Sequence, residues 1–490
     1  MIDRRTFLKA LGVVTAGLYA SNVSIIYASD VIISDWSDGD CEDVHRIGKD
    51  KFETPDASIK KDVVIIGGGL SGLTMAYYLR DDDFMLLEKD SDPGGNAKKG
   101  KYGDTVYATG SAYLVDVERY YGKLYSELGL ELKPIPNPVD TAKHEGRWVD
   151  LEDGPMKNHV KRLKKHMKKL LDGEDFPSIP IEDAKPNTLR LDKVSFYDYL
   201  KGLHYPEDYM AYIDAYCYSA LGGSIREISA YAGVNFYSEI AGNIYAFPGG
   251  NAYVVDRLIE KIGTERIKTK TTVYSVKQKG SKVLTSFMED GLSHTVESKA
   301  VVMCVPYFFA PKIVDGITGK QKKDMESLRY GAYLVANLCF DRRVFSGGYD
   351  NCMPDNSAFT DFIDAAYVAN TKKEQSVITV YAPYKNPSNG RKALREGDRN
   401  SIAKDIRAGI AKAFDFPPES LKEIRLTRYG HQLLTSEVGI VHKLRGIKKS
   451  VGSNIVFAHS DGQAMAAVES AVTEARRAMD KVKRIIKQTK

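Results

Sequence analysis

The run Val63-Val64-Ile65-Ile66-Gly67-Gly68-Gly69-Leu70-Ser71-Gly72 leaves few folds open to this chain. Four β-branched residues in succession suit a strand buried on both faces, as in a parallel sheet covered by helices. Three glycines follow at once, and then Leu73, Ala76, Tyr77 and Leu79 recur at helical spacing. Gly67 permits the tight turn, and Gly69 lets the backbone approach a pyrophosphate. Gly72 lets the helix lie close to the strand, while the helix amino terminus at Leu70 and Ser71 offers amide donors. A second apolar run, Phe84–Leu87, ends in Glu88, about twenty residues beyond the first glycine, where a carboxylate can hold a ribose hydroxyl. Strand, glycine turn, helix, second strand and terminal acid together predict a doubly wound α/β domain that binds a dinucleotide.

With 490 residues, the chain is too long for one ordinary core, so a second domain is expected. Its 70 basic and 65 acidic residues nearly cancel to +5, which gives no broad cationic field and argues against a nucleic-acid partner. Cys41, Cys217, Cys304, Cys339 and Cys352 form no CxxC pair and lie at no metal-ligand spacing to histidine, so no metal site is expected. Tyrosines number 30 against 2 tryptophans, a balance that suits pockets with hydrogen-bonding walls.

The amino terminus reads as an address. Asp3-Arg4-Arg5-Thr6-Phe7-Leu8-Lys9 precedes a moderately apolar run from Ala10 to Ala28, the pattern of a twin-arginine export signal. Thr15, Ser21, Asn22 and Ser24 dilute that run below what a membrane anchor needs. Residues 1–28 are therefore expected to direct the folded protein to the periplasm, and residues 29–60 to form a polar surface arm or linker.

Further motifs resemble the flavin amine oxidase superfamily. Glu88-Lys89-Asp90-Ser91-Asp92-Pro93-Gly94-Gly95-Asn96 resembles the stretch in which a glycine doublet follows the ribose acid along the phosphates of FAD, with Asn96 where that family usually has Arg. Val273 falls on a strand resembling the one that contacts adenine, and Ala300–Pro306 resembles the strand after it. Phe247-Pro248-Gly249-Gly250-Asn251 resembles the turn into the central part of the FAD domain. Near the other end, Asn454–Phe457 leads through Ala458-His459-Ser460 to Asp461 and then to a helix from Val468. The resemblance places Asp461 by the ribityl chain, and the amides of Ala467 and Val468 where a reduced flavin carries negative charge. That closing motif has no cysteine, so non-covalent FAD is expected.

The resemblance also implies the domain plan. Residues 61–113, 247–307 and 445–486 would make a Rossmann-like FAD-binding domain with a parallel sheet. Residues 114–246 and 308–444 would make an α+β substrate domain, with antiparallel strands expected at Ala332–Phe340 and Val377–Tyr381. Val160, Leu163, Met167 and Leu170 recur at helical spacing with Lys161, Lys164, Lys165, Lys168 and Lys169 around them, which reads as a basic amphipathic helix; packing on the domain is the expectation, membrane contact the lesser one.

For chemistry, the resemblance brings Gly110, Ser111, Ala112 and Tyr113 past the flavin face, and Arg428-Tyr429-Gly430-His431 to a segment where amine-acting members carry aromatic residues. Tyr113 and Tyr429 would flank an amine. His431 and His459 would titrate near neutrality, as candidates for proton transfer or for contact with the flavin. Tyr333 stands where many members place a Lys near the flavin, which weakens the case for oxygen as acceptor and favours a periplasmic cytochrome or quinone. Thr360-Asp361-Phe362-Ile363-Asp364 supplies acids that could anchor an amine, although such acids are more often exposed. The expected function is an exported FAD-dependent oxidoreductase removing a hydride from a C–N bond of an amine or polyamine. Two alternatives stay open: a C–C desaturase of the phytoene or protoporphyrinogen type acting on an apolar substrate, and a non-catalytic flavoprotein that relays electrons.

Overall fold

The computed structural model describes residues 31–488 apart from 38–41, 116, 136–140, 145–146, 151–153, 174, 241–243 and 370–374. The proposed export signal therefore lies outside the described residues, as does Cys41.

Two large sheets organise the chain. In the first, Ile267–Lys268, Phe84–Leu87, Ile59–Ile66, Leu292–Met303 and Ile455–Phe457 run parallel in that order. Leu292–Met303 is long enough to serve two neighbours on one side. Its second half pairs with Ile455–Phe457, and its first half continues an antiparallel meander with Lys282–Glu289 and Thr271–Lys279. The central strands are apolar on both faces, as a covered parallel sheet demands, and Val63, Val64 and Ile65 are fully buried. Helices Leu70–Tyr78, Ala252–Ile262 and Val468–Gln488 cover one face through Leu73, Ala76, Leu258, Val472 and Ala475.

The second sheet has eight strands in the order Ile32–Ile33, Leu421–Tyr429, Ala332–Phe340, Ser376–Tyr384, Asp361–Asp364, Asp350–Cys352, Thr141–His144 and Arg147–Asp150. Its four central strands are antiparallel and alternate strictly. Ala332, Leu334, Ala336, Leu338, Phe362, Val380 and Leu426 face a core shared with helices Pro387–Glu396 and Arg399–Ala413. The intervening residues Tyr333, Val335, Tyr381 and Ile363 face the other way, toward the first sheet.

In the described part of the segment expected as a surface arm or linker, Ile32–Ile33 adds an edge strand beside Glu423–Ile424, and Glu42–Arg46 is a short helix. One expectation needs correction. The acids of Thr360–Asp364 are not exposed; Asp361 and Asp364 are both buried, because the strand carrying them is interior to the sheet. Lys157–Leu171 is a helix that packs through Val160, Leu163 and Met167. Among the described residues, no helix is long and apolar enough to cross a membrane.

Candidate active site

A cavity of about 1000 Å³ runs between the two sheets, from the Gly67 turn to the inward face of the second sheet. That is the upper end of the range for small-molecule sites.

At one end lies the glycine cradle. Gly67 has φ +102°, and a Cβ there would fall 2.6 Å from the Cys304 carbonyl oxygen. At Gly72 a Cβ would sit 1.9 Å from the Gly67 carbonyl oxygen, so the helix can begin only if that residue has no side chain. Above Gly69 the nearest atom to a Cβ is Gly95 Cα at 3.8 Å, which leaves the space over the turn open. The glycine doublet closes against this turn: the Gly94 amide donates to the Gly68 carbonyl at 2.8 Å, and Gly94 and Gly95 both have positive φ. Glu88 accepts from the Gly68 amide (2.6 Å) through Oε2 and from the Asp90 amide (2.9 Å) through Oε1. Burial raises its carboxyl above the ordinary value. A concave backbone with open space above Gly69 and a fixed acid beside it fits a dinucleotide diphosphate and ribose.

The remaining expected cofactor residues line the same cavity, with Gly72 alone set beneath it. Several spend their side chains on holding the cavity wall. Ser71 donates to the Ala458 carbonyl, tying the first turn to the last strand. Lys89 pairs with Asp90 at the rim. Asn96 donates to the Gln432 carbonyl at 3.1 Å, and its own carbonyl accepts from the Ser111 amide at 2.8 Å. Gly110 fits against it because a Cβ there would lie 2.2 Å from the Asn96 carbonyl. Asn251, the last residue of the Pro-Gly-Gly turn, donates to Ser111 Oγ and to the Tyr113 carbonyl, which braces Ala112 and its neighbours. Val273 closes the wall near Leu87.

At the closing motif, Asp461 accepts from the Tyr330 hydroxyl at 2.5 Å and from the Tyr307 amide at 3.3 Å. The Ala467 amide donates to the Met465 carbonyl, so the first-turn amides lacking helical acceptors begin at Val468. Glu469, which sequence reasoning missed, reaches across to accept from the Val115 amide at 2.9 Å.

The other end of the cavity belongs to tyrosines and acids. Strand register puts Tyr333 opposite Tyr429, and Tyr381 opposite Asp361, all on the inward face. Asp350 joins them from the next strand, opposite Ile363. The helix Glu207–Leu221 supplies Tyr216 and Ser219 from the facing side. Tyr216 donates to Asp350 Oδ2 at 2.8 Å, and its oxygen lies 3.2 Å from that of Tyr113. Tyr333 and Ser219 are bonded through their hydroxyls at 2.7 Å. Tyr381 donates to the Gly110 carbonyl and Tyr429 to the Thr109 carbonyl, each at 2.8 Å. Burial raises the phenols of Tyr113, Tyr333 and Tyr381, so they stay neutral and offer ring faces and hydroxyls rather than bases. Burial also pushes the Asp361 carboxyl up to about 6, against the hydrogen bonds from Thr360 and Ser219 that favour its ionised form.

His431 differs from expectation. It stacks on Phe308 with centroids 4.5 Å apart, and burial, aided by the charges of Arg391 and Lys312, pushes it down to about 4. It is neutral at pH 7 and does not titrate there. His459 accepts the Asp461 amide through Nδ1 at 3.2 Å.

The signal for Tyr381 was present in the alternation of Val377–Tyr384, and the same alternation pairs it with Asp361. Tyr216, Ser219 and Asp350 left no such trace, because they meet only in the folded chain.

A dinucleotide cradle opening onto a polar, aromatic substrate face is the arrangement of a two-domain flavin oxidoreductase. Residues 70–479 match the family described as flavin containing amine oxidoreductase, and the chain belongs to it. It is 23% identical to Oxidoreductase PigB of Serratia sp. (strain ATCC 39006), over 86% of this chain and 75% of that one. To the flavin-containing amine oxidase B of Sus scrofa it is 25% identical over 52% of each chain, so that match spans about half of either protein. Wild-type putrescine oxidase, solved with putrescine bound, shares the fold with a TM-score of 0.69 at 18% identity, over 87% of this chain and 99% of that one. The protein is an FAD-dependent oxidoreductase of the amine oxidase family.

Proposed function

We propose that the protein oxidises a C–N bond of an amine or polyamine whose ammonium group is recognised in the cavity. The observation that carries this reading is the pairing of two carboxylates, the half-buried Asp350 and the buried Asp361, with the ring faces of Tyr113, Tyr333, Tyr381 and Tyr429 in one cavity. A cation is stabilised by both an ionised acid and an aromatic face. A polyene or porphyrinogen would leave the buried Asp361 carboxylate without a counter-charge, at a cost in desolvation. FAD, when bound, accepts the hydride. The chain's residues then orient the substrate and exclude water. The neutral phenols keep the local field from holding the reacting amine protonated, while the acids bind a charged end.

The turn residues Gly67, Gly69, Leu70 and Ser71, with Glu88, the Gly94–Gly95 doublet and Asp461, would hold the cofactor. Its attachment is non-covalent in this reading. Cys304, on the cavity wall, sits beside the Gly67 turn at the diphosphate end, and no cysteine occurs in the closing motif. Tyr333, bonded to Ser219, offers no ammonium group to activate oxygen, and this supports a carrier such as a cytochrome or quinone as acceptor. The twin-arginine motif supports export to the periplasm, where such carriers are accessible.

The test is anaerobic bleaching of the flavin band with a panel of amines, polyamines and polyenes. Bleaching by an amine, markedly slowed in Asp361→Asn, is the expected result. Bleaching by polyenes alone would transfer the reading to a desaturase, and reduction by dithionite but by no organic substrate would leave a relay flavoprotein. Near-diffusional reoxidation by air in stopped flow would refute the choice of acceptor. Replacing Arg4 and Arg5 by Lys and finding unchanged periplasmic enzyme would refute the export route.

A further inference from the structure

We infer that the amino-terminal segment, in the stretches 31–37 and 43–53, is a wall of the FAD site that retains the adenosine half of the cofactor. The inference rests on the family's cofactor and is independent of which substrate is oxidised. Ser37 and Val44 line the same cavity as Gly69, Glu88 and Val273. The first stretch is bound to the second sheet. Ile32–Ile33 pairs with Glu423–Ile424, the Ser37 amide donates to the Leu426 carbonyl at 2.9 Å, Asp35 pairs with Arg399, and the Arg428 guanidinium lies 4.6 Å from the Trp36 ring centroid.

The second stretch is bound to the first sheet. Ile47 is buried in the cluster that holds Leu87, Val273 and Ile313, and Leu87, Val273 and Ile313 all line the cavity. Phe52 stacks on Tyr274, the residue after Val273, with centroids 4.7 Å apart, and Tyr274 donates to the Glu53 carbonyl at 2.5 Å. Ser37 and Val44 thus belong to stretches anchored on opposite sheets, beside the wall that Val273 and Glu88 form. A dinucleotide resting on Gly69 with its ribose at Glu88 brings its adenosine to that wall. Val44 supplies apolar contact there, on the stretch that Ile47 and Phe52 tie to the first sheet. The segment read from sequence as a surface arm or linker would then slow cofactor loss.

The experiment compares wild type with Val44→Asp and Phe52→Ala, neither of which touches the tyrosine–carboxylate face. Holoprotein is diluted, and release of FAD is followed by the rise in its fluorescence. ADP binding to apoprotein is measured alongside. Both variants are expected to release FAD on the order of tenfold faster and to bind ADP on the order of tenfold more weakly, as loss of one apolar contact implies. Thermal unfolding of the apoprotein is expected to change little. A release rate within twofold of wild type in both variants overturns the inference. Should either variant fail to fold, wild-type protein decides the matter: FAD is expected to slow tryptic cleavage at Arg46, Lys49 and Lys51 relative to apoprotein, and equal cleavage overturns it.

Discussion

Asp361→Asn separates substrate recognition from stability in one residue. Asp361 is 3% exposed, and burial pushes its carboxyl from 3.8 up to about 6. A shift of about two units, at about 1.4 kcal/mol per unit, disfavours the folded ionised form by about 3 kcal/mol. Because the folded-state value lies above the unfolded one, this penalty is absent below about pH 3. It grows through the interval between the two values and is complete above about pH 7. Asparagine keeps an oxygen for the Thr360 hydroxyl, now 2.6 Å from Asp361 Oδ1, and removes the charge. The FAD-saturated variant should therefore unfold a few degrees above wild type at pH 8, with the gain roughly halved at pH 5. The same change deletes a counter-charge for ammonium, worth about 1.5–3 kcal/mol, so flavin reduction by the preferred amine should fall about 10- to 150-fold in kcat/KM. Wild-type kcat/KM should rise as pH passes about 6, and that limb should vanish in the variant. Differential scanning fluorimetry and anaerobic stopped flow across pH 5–8 read both effects. A variant no more stable at pH 8, with amine reduction intact, would show that the Asp361 carboxylate is neither strained by burial nor a partner of substrate.

Other outcomes follow from the same geometry. Gly72→Ala places a methyl 1.9 Å from the Gly67 carbonyl and should yield protein without flavin, read from the ratio of visible to ultraviolet absorbance. His431→Gln should leave the shape of the pH–rate profile between pH 5.5 and 8 unchanged, because burial already holds that imidazole neutral with its value pushed down to about 4; a lost inflection near pH 6.5 would contradict this. Lys448→Met leaves Glu474, fully buried and otherwise held by Gln463 and Arg477, without its ammonium partner at 3.0 Å; a loss of about 3 kcal/mol in thermal or urea unfolding is expected. Acid precipitation should release the yellow colour into the supernatant, as non-covalent FAD requires.

What could be read in the sequence divides along a physical line. The cradle was legible because its requirements are local: Gly67 and Gly72 answer to backbone contacts within a few residues or with the neighbouring strand that only glycine satisfies, and Gly69 leaves the space over the turn open. The inward face of the second sheet was half legible. Tyr333 and Tyr429 sit on strands whose alternation is plain, yet their adjacency depends on register between residues almost a hundred positions apart. Asp361 was discounted because acids are usually exposed, a prior that fails when a strand lies inside a sheet. His431 was expected to titrate near neutrality because the imidazole's ordinary value was carried over. Its burial against Phe308, and the cations of Lys312 and Arg391 facing it, come from two segments far from it in sequence. The attachment of the amino-terminal arm was not legible, since short strands bonded to a distant edge have no periodicity of their own; Ile32–Ile33 is two residues long. The cofactor end of this cavity is thus written in local backbone constraints and its substrate end in long-range packing. Substitutions at Asp350, Tyr216 or Ser219 should therefore alter which substrate is accepted while leaving flavin content unchanged, and a loss of flavin from any of the three would show that the two ends are not separable.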